Sequence, residues 1–236
     1  MHSGLHIFFR EHGIVWPQDA SGEMRRAMRR ALAESFARAA LVAWWEPRLD
    51  RIADWVVATE QRRRTDFALS AIHTEIPGYV EIQRPGRRFR LTARADRIER
   101  RTDGRLAILD YKTGSVPSQK SVASGLAPQL PLESAMAAAC GFGPELQRGT
   151  AELAYWQLTG GFEPGKATPL FKGNDGELQA AIDRAIHGVE RLIDQYDEPT
   201  RCYLAQPDPS WTPRFSDYAQ LERVAEWSSA ADDDNA

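Results

Sequence analysis

Residues 105–114, RLAILDYKTG, form an apolar run that ends in an acid, an aromatic and a base. Side chains alternate along a strand, so Leu106, Ile108, Asp110 and Lys112 share one face, apolar at one end and ionic at the other. Upstream, RFRLTARADRIERR reaches this run through TDG (102–104), a hairpin signal. The register of that hairpin decides what Asp110 meets. A two-residue Asp103–Gly104 turn sets Asp96 across from Tyr111. A three-residue Thr102–Asp103–Gly104 loop, with Gly104 left-handed, sets Asp96 across from Asp110 and Arg94 across from Lys112. In the second register two carboxylates stand roughly 5 Å apart, a costly arrangement unless a cation lies between them. A divalent metal is the economical explanation, and magnesium, which takes oxygen ligands and keeps waters, suits it. The alternative is an exposed strand end where Asp110 and Lys112 pair with Arg94, Arg97 and each other. The hairpin alone leaves both open.

Around it the pattern is mixed. Residues 21–43 and 45–64 carry helical periodicity, with Met24, Met28, Leu32 and Phe36 on one face and Leu49, Ile52, Trp55 and Val56 on the other helix, which Pro47 opens. From 67 to 112 the pattern is that of strands, broken at PGY (77–79) and RPG (84–86). Residues 126–139 and 175–197 read as helices and 151–159 as a strand. A last helix covers 217–228, ahead of an acidic tail. The fold class is α+β, a mixed central sheet flanked by helices. One domain covers 1–215, with a helical front (about 1–64) and a sheet core (about 67–160); residues 216–236 add the terminal helix and a disordered tail.

Composition narrows the functions. A chain of 236 residues with 42% hydrophobic and 27% charged positions can bury one sizeable core. Its net charge of −3 does not advertise nucleic-acid binding, yet arginines cluster at 25–30, 62–64 and 84–101. These are either solvated faces or a local phosphate-binding surface. Two cysteines, Cys140 and Cys202, without a CxxC spacing, cannot by themselves hold zinc or an iron–sulfur cluster. No apolar run approaches the roughly 18–20 residues that cross a bilayer, and no signal-peptide pattern opens the chain, which points to a reducing cytoplasm. No GxxxxGK[ST] is present, which excludes P-loop ATP hydrolysis. KTG (112–114) lacks the SxxK and SDN partners of β-lactamase chemistry.

An Asp on one strand followed by Asp-x-Lys on the next resembles the PD-(D/E)XK nuclease pattern. Residues 93–142 resemble the C-terminal nuclease domain of AddB-type double-strand-break repair subunits, in the RecB-like branch of that superfamily. The branch carries Gln-x-x-x-Tyr on the helix after the Asp-x-Lys strand; here QLPLE supplies Gln129, with Glu133 in place of the tyrosine. It also carries a metal-binding histidine on its first helix, and SGLHIFF (3–9) nominates His6. His2, His12, His73 and His187 have no such context and read as structural or exposed.

The resemblance implies a restriction-endonuclease-like core and a magnesium- or manganese-dependent deoxyribonuclease of exonuclease type. His6, Asp96, Asp110 and the Tyr111 carbonyl would hold the metal, while Lys112 and Gln129 orient water and substrate. Arg94, Thr113, Ser118 and Lys120 would face DNA phosphates, and Trp44, Trp45 and Trp156 could guide a single strand. The implied partner is a helicase–nuclease subunit. The four-cysteine iron–sulfur staple of some relatives should be absent. With no helicase-like region, the chain reads as an isolated nuclease domain or a piece of a longer protein. The competing function is a catalytically inactive DNA-binding or scaffolding domain of the same complex.

Overall fold

The computed structural model describes residues 1–35, 39–204 and 221. Helices α1 (His2–His12), α2 (Ala20–Ser35) and α3 (Ala39–Asp66) precede strands β1 (Leu69–Arg84), β2 (Arg87–Arg101) and β3 (Leu106–Lys112). Helices α4 (Gln119–Ala123) and α5 (Gln129–Ala138) then cross over to β4 (Thr150–Leu158), β5 (Gly165–Leu170) and α6 (Asp175–Asp197). The strands form one sheet in the order β1-β2-β3-β4-β5, parallel only between β3 and β4. The α+β expectation holds. Packing divides the chain into Met1–Arg191 and Leu192–Ala236, and the first unit holds the sheet and every nominated site residue. In the second, Tyr196 and Tyr203 stack at 4.8 Å. The helix expected over 217–228 and the acidic tail lie, but for Leu221, outside the described residues, as does Phe36.

Alternation along β3 and β4 feeds two cores. Ala107, Leu109, Tyr111, Ala154 and Trp156 meet the apolar faces of α1, α2 and α3, including Phe8, Phe9, Met24, Met28, Ile52 and Val56. On the other side Ile98, Leu106, Ile108, Leu153 and Tyr155 meet Leu130 and Met136 of α5 and Leu178 and Ile182 of α6. Two expected breaks do not occur. Helix α3 begins at Ala39 and continues through Pro47, and β1 continues through Pro77 and Gly78. An edge strand tolerates a proline, and Gly78 admits a close neighbour, because a Cβ there would strike the Phe142 ring.

The β2–β3 loop has the three-residue form. Arg101 donates its N–H to the Arg105 carbonyl at 2.9 Å, and Gly104, at φ +85°, closes the loop. The register runs from Arg100 opposite Leu106 to Arg97 opposite Leu109, and the ladder stops there. Asp96 and Asp110 therefore do not pair in the ladder as expected, and neither does Lys112 with Arg94, which lies opposite Pro77 in β1. The β1–β2 ladder is also interrupted at this level, skipping Glu75 and Asp96 between Thr74–Arg97 and Ile76–Ala95. Glu75 adopts φ +52°, a strained conformation for a side-chain-bearing residue. The irregularity resets the alternation: Ala95 joins Ile98 in the α5–α6 core, whereas Arg97 points to the α1–α3 side.

That side holds buried charge. Arg97 is fully buried and pairs with Glu60 of α3 at 2.8 Å and with Glu99, its guanidinium 4.0 Å from the Phe9 ring. Arg63 bridges Glu99 and Glu152, each at 2.6 Å, and Arg101 also contacts Glu152. Burial disfavours the Arg97 charge, but Glu60 and Glu99 more than offset this and raise its pKa. Part of the 84–101 arginine cluster is thus structural rather than a surface. Arg97→Met leaves two carboxylates without their shared cation and should cost about 3–5 kcal/mol in urea denaturation. A loss below about 1 kcal/mol would contradict this account of the interior.

Candidate active site

The end of the β2–β3 ladder shapes the site. Where Ala95 and Tyr111 would pair next, the Asp96 carboxylate instead accepts the Tyr111 backbone N–H at 2.8 Å. The strands part, and Asp96 and Asp110 flank the opening. The Tyr111 side chain points to the other face and is buried against Trp156 at 6.0 Å, with its hydroxyl 3.4 Å from Arg97.

Asp110 is 2% exposed. The Lys112 ammonium donates to its Oδ1 at 3.0 Å and lies 2.8 Å from its Oδ2, which is otherwise without a hydrogen bond. Gln129, at the start of α5, donates from Nε2 to Asp110 Oδ1 at 2.5 Å and to Glu133 Oε1 at 3.2 Å, and its Oε1 accepts from Lys112 at 3.0 Å. One helical turn separates Gln129 from Glu133, which brings both to the strand end. Glu133 is buried, and its Oε2 has no hydrogen-bond partner. Burial pushes the Glu133 pKa up to about 8, with the Asp110 and Asp96 charges adding to the rise. Asp110 is also shifted upward, by burial first and by Asp96 beyond it.

The first helix brings a different histidine from the expected one. His6 Nδ1 lies 2.7 Å from the Thr74 hydroxyl on β1. It is His2 whose Nε2 lies 2.8 Å from the Tyr111 carbonyl and 3.3 Å from Asp96 Oδ2. The hydrogen bond to Asp96 raises the His2 pKa. The two histidines are one turn apart on one face of α1, so periodicity alone cannot choose between them. Thr74 on β1 engages His6 and leaves His2 to Asp96 and the Tyr111 carbonyl. Among the described residues no three His, Cys, Asp or Glu side chains form a ready ligand cluster. The fit to a hard cation rests instead on converging oxygens: Asp96, Asp110 and the Tyr111 carbonyl, with the His2 nitrogen beside them.

The remaining candidates divide. Arg94 and Lys120 are exposed, Arg94 lying 3.9 Å from Glu75, and Thr113 is exposed just beyond Lys112. The Ser118 hydroxyl is engaged as the N-cap of α4, accepting from the Ser121 N–H at 3.1 Å. Trp156 cannot guide a strand, because it is fully buried against Trp55. Trp44 is exposed, with Arg48 5.2 Å from its ring.

Glu133 gives the metal-free protein a pH signature. Its pKa in the fold, about 8 against an ordinary 4.5, means that the folded state keeps a proton the unfolded chain has lost. Its contribution is complete below pH 4.5 and falls, by up to about 1.4 kcal/mol per pH unit, until about pH 8. In EDTA, Glu133→Gln should flatten the decline of thermal stability between pH 5 and 8. An unchanged slope would remove Glu133 as its source.

A family model for the PD-(D/E)XK nuclease superfamily matches residues 1–211. An uncharacterized protein of Rickettsia bellii (strain RML369-C) is 34% identical over 98 residues, 42% of this chain and 12% of that protein. An uncharacterized protein of Rickettsia felis (strain ATCC VR-1525 / URRWXCal2) is 29% identical over 150 residues, 62% of this chain and 17% of that protein. The chain thus spans a small fraction of the length of these relatives. The crystal structure of SSO0001 aligns over 78% of this chain and 71% of its own, at 12% identity and a TM-score of 0.32. With the family model running across the helical front, the sheet and the Asp-x-Lys strand, the chain belongs to the PD-(D/E)XK nuclease superfamily.

Proposed function

We propose that this chain is a divalent-metal-dependent DNA nuclease that hydrolyses phosphodiester bonds. The observation that carries the reading is the convergence of Asp96, Asp110, Lys112, Gln129 and the His2 ring where β2 and β3 part. Asp96, Asp110, the Tyr111 carbonyl and His2 would hold magnesium or manganese, with His2 taking the place first given to His6. When bound, the ion supplies Lewis-acid polarisation of a phosphoryl oxygen and lowers the pKa of a coordinated water. Lys112, held by Asp110 and Gln129, presents a fixed positive charge to the attacked phosphate and orients the attacking water. Gln129 fixes both its neighbours through one amide. Arg94, Thr113 and Lys120 are exposed close by in sequence and serve as phosphate contacts, and Ser118 supports them by capping α4.

The resemblance of residues 93–142 to AddB-type nuclease domains supports a finer reading: an exonuclease working in double-strand-break repair beside a helicase–nuclease partner that delivers DNA ends. The full chain, with end-labelled linear DNA and magnesium or manganese, tests the enzyme itself. Asp110→Asn and Lys112→Ala should each lower the cleavage rate at least about 100-fold. His2→Ala should raise the metal concentration for half-maximal rate by about 10–100-fold, with His6→Ala close to wild type. DNA binding without cleavage by folded wild-type protein in either metal would overturn the enzyme reading in favour of a scaffolding role.

A further inference from the structure

Two elements leave the cleft and end at one groove. Strand β2, followed backward from Asp96, passes Arg94, Thr92 and Arg90; helix α5, followed forward from Gln129, ends at Ala138. Between them lies an open groove of about 840 Å³, lined on the β1–β2 arm by Tyr79, Arg90 and Thr92 and on the turn after α5 by Cys140 and Phe142. Its walls are fixed by close packing. A Cβ at Gly78 would strike the Phe142 ring, and one at Gly141 would lie 2.8 Å from the Val80 side chain. The Tyr79 N–H donates to the Gly141 carbonyl at 3.0 Å, tying the arm to the turn. The groove is therefore preformed.

Its chemistry is cationic and aromatic. Because the alternation resets at Asp96, Ala95, Ala93 and Leu91 turn to the α5–α6 core, while Arg94, Thr92, Arg90 and Arg88 face solvent. The side chains of Arg88, Arg90 and Arg94 are 68, 61 and 66% exposed, and successive positions on this face stand about 7 Å apart. Among the described residues two carboxylates face these three guanidiniums: Glu81, shared by Arg88 at 3.2 Å and Arg90 at 3.3 Å, and Glu75, 3.9 Å from Arg94. Tyr79 is 54% exposed, and the Arg90 guanidinium lies 4.7 Å from its ring centroid. An exposed ring beside a cation, in a groove that β2 and α5 connect to the proposed cleavage site, matches an unpaired base followed by its phosphate. A duplex keeps its base faces stacked and offers none to Tyr79.

We infer that this groove is a binding subsite for single-stranded nucleic acid, remote from the scissile phosphate, with Tyr79 stacking on a base and Arg90 and Arg94 on the backbone. The inference deepens the nuclease reading and rests on it only for the direction of the strand. From Asp96 to Arg90 the arm covers about 20 Å, so a dinucleotide in the cleft would not reach the groove.

Cys140 is exposed in the groove wall and reports occupancy without cleavage. In the Cys202→Ser background and in EDTA, saturating oligo-dT of about twelve nucleotides should slow maleimide alkylation of Cys140 about tenfold, with no protection by dithymidylate or a duplex of equal length. Tyr79→Ala should weaken oligo-dT binding in fluorescence anisotropy about tenfold and abolish the protection, with Tyr79→Trp restoring both. Asp110→Asn should keep the protection. Unslowed alkylation under saturating oligo-dT, or equal protection by duplex, overturns the groove assignment. Protection in a wild-type protein that cleaves nothing overturns the nuclease reading and leaves the groove standing.

Discussion

The site depends on one interruption: β2 and β3 stop exchanging backbone hydrogen bonds after Arg97 and Leu109. Had the ladder continued, the Tyr111 N–H would have gone to a β2 carbonyl and Asp96 would be an ordinary strand residue. Instead the Asp96 carboxylate takes that N–H, and the Tyr111 carbonyl is met by His2. An opened ladder is costly unless something holds the strands at the new spacing. Arg97 does so from the other face. Its guanidinium reaches Glu60 on α3, the Phe9 ring on α1 and the Tyr111 hydroxyl on β3. The helix that presents His2 and the two strands that present the carboxylates are thus fixed to one buried cation.

The electrostatics of the opening follow from this geometry. Asp110 and Glu133 are buried within reach of Asp96, and both are pushed upward in pKa by burial and by their neighbours' charge. Lys112 is the cation placed among them, and it is committed to Asp110 and Gln129. Buried carboxylate oxygens without hydrogen bonds, on Asp110 and Glu133, mark where a further positive charge would be most favourable. The proposed metal is the group that answers this need. Glu133 makes the pocket more acidic, and its protonation below about pH 8 keeps that cost small without metal.

Much of this was legible in the sequence because it rests on local rules. The TDG loop chose the register, alternation put Asp110 and Lys112 on one face, and helical spacing put Glu133 beside Gln129. What was not legible depends on distant packing. His2 and His6 differ by one turn of the same face, and only the position of Thr74 on β1 separates them. Arg97 and Arg101 read as part of a basic surface until Glu60 and Glu152 meet them from elements 37 or more residues away and Glu99 from two places along the same strand. Pro77 and Gly78 read as a strand break because their sequence does not reveal that β1 is an edge or that Phe142 needs the space. Trp156 read as a possible strand guide, and only the central place of β4 in the sheet shows that it belongs to the core.

On the proposed reading, the parted strands form a cation site completed by His2. A crystal soaked in manganese, with anomalous difference maps, tests it most directly. A single strong peak is expected among Asp96, Asp110, the Tyr111 carbonyl oxygen and His2 Nε2, with His6 still on Thr74. A peak coordinated by His6, or manganese bound only elsewhere while the two carboxylates keep their present partners, would contradict it.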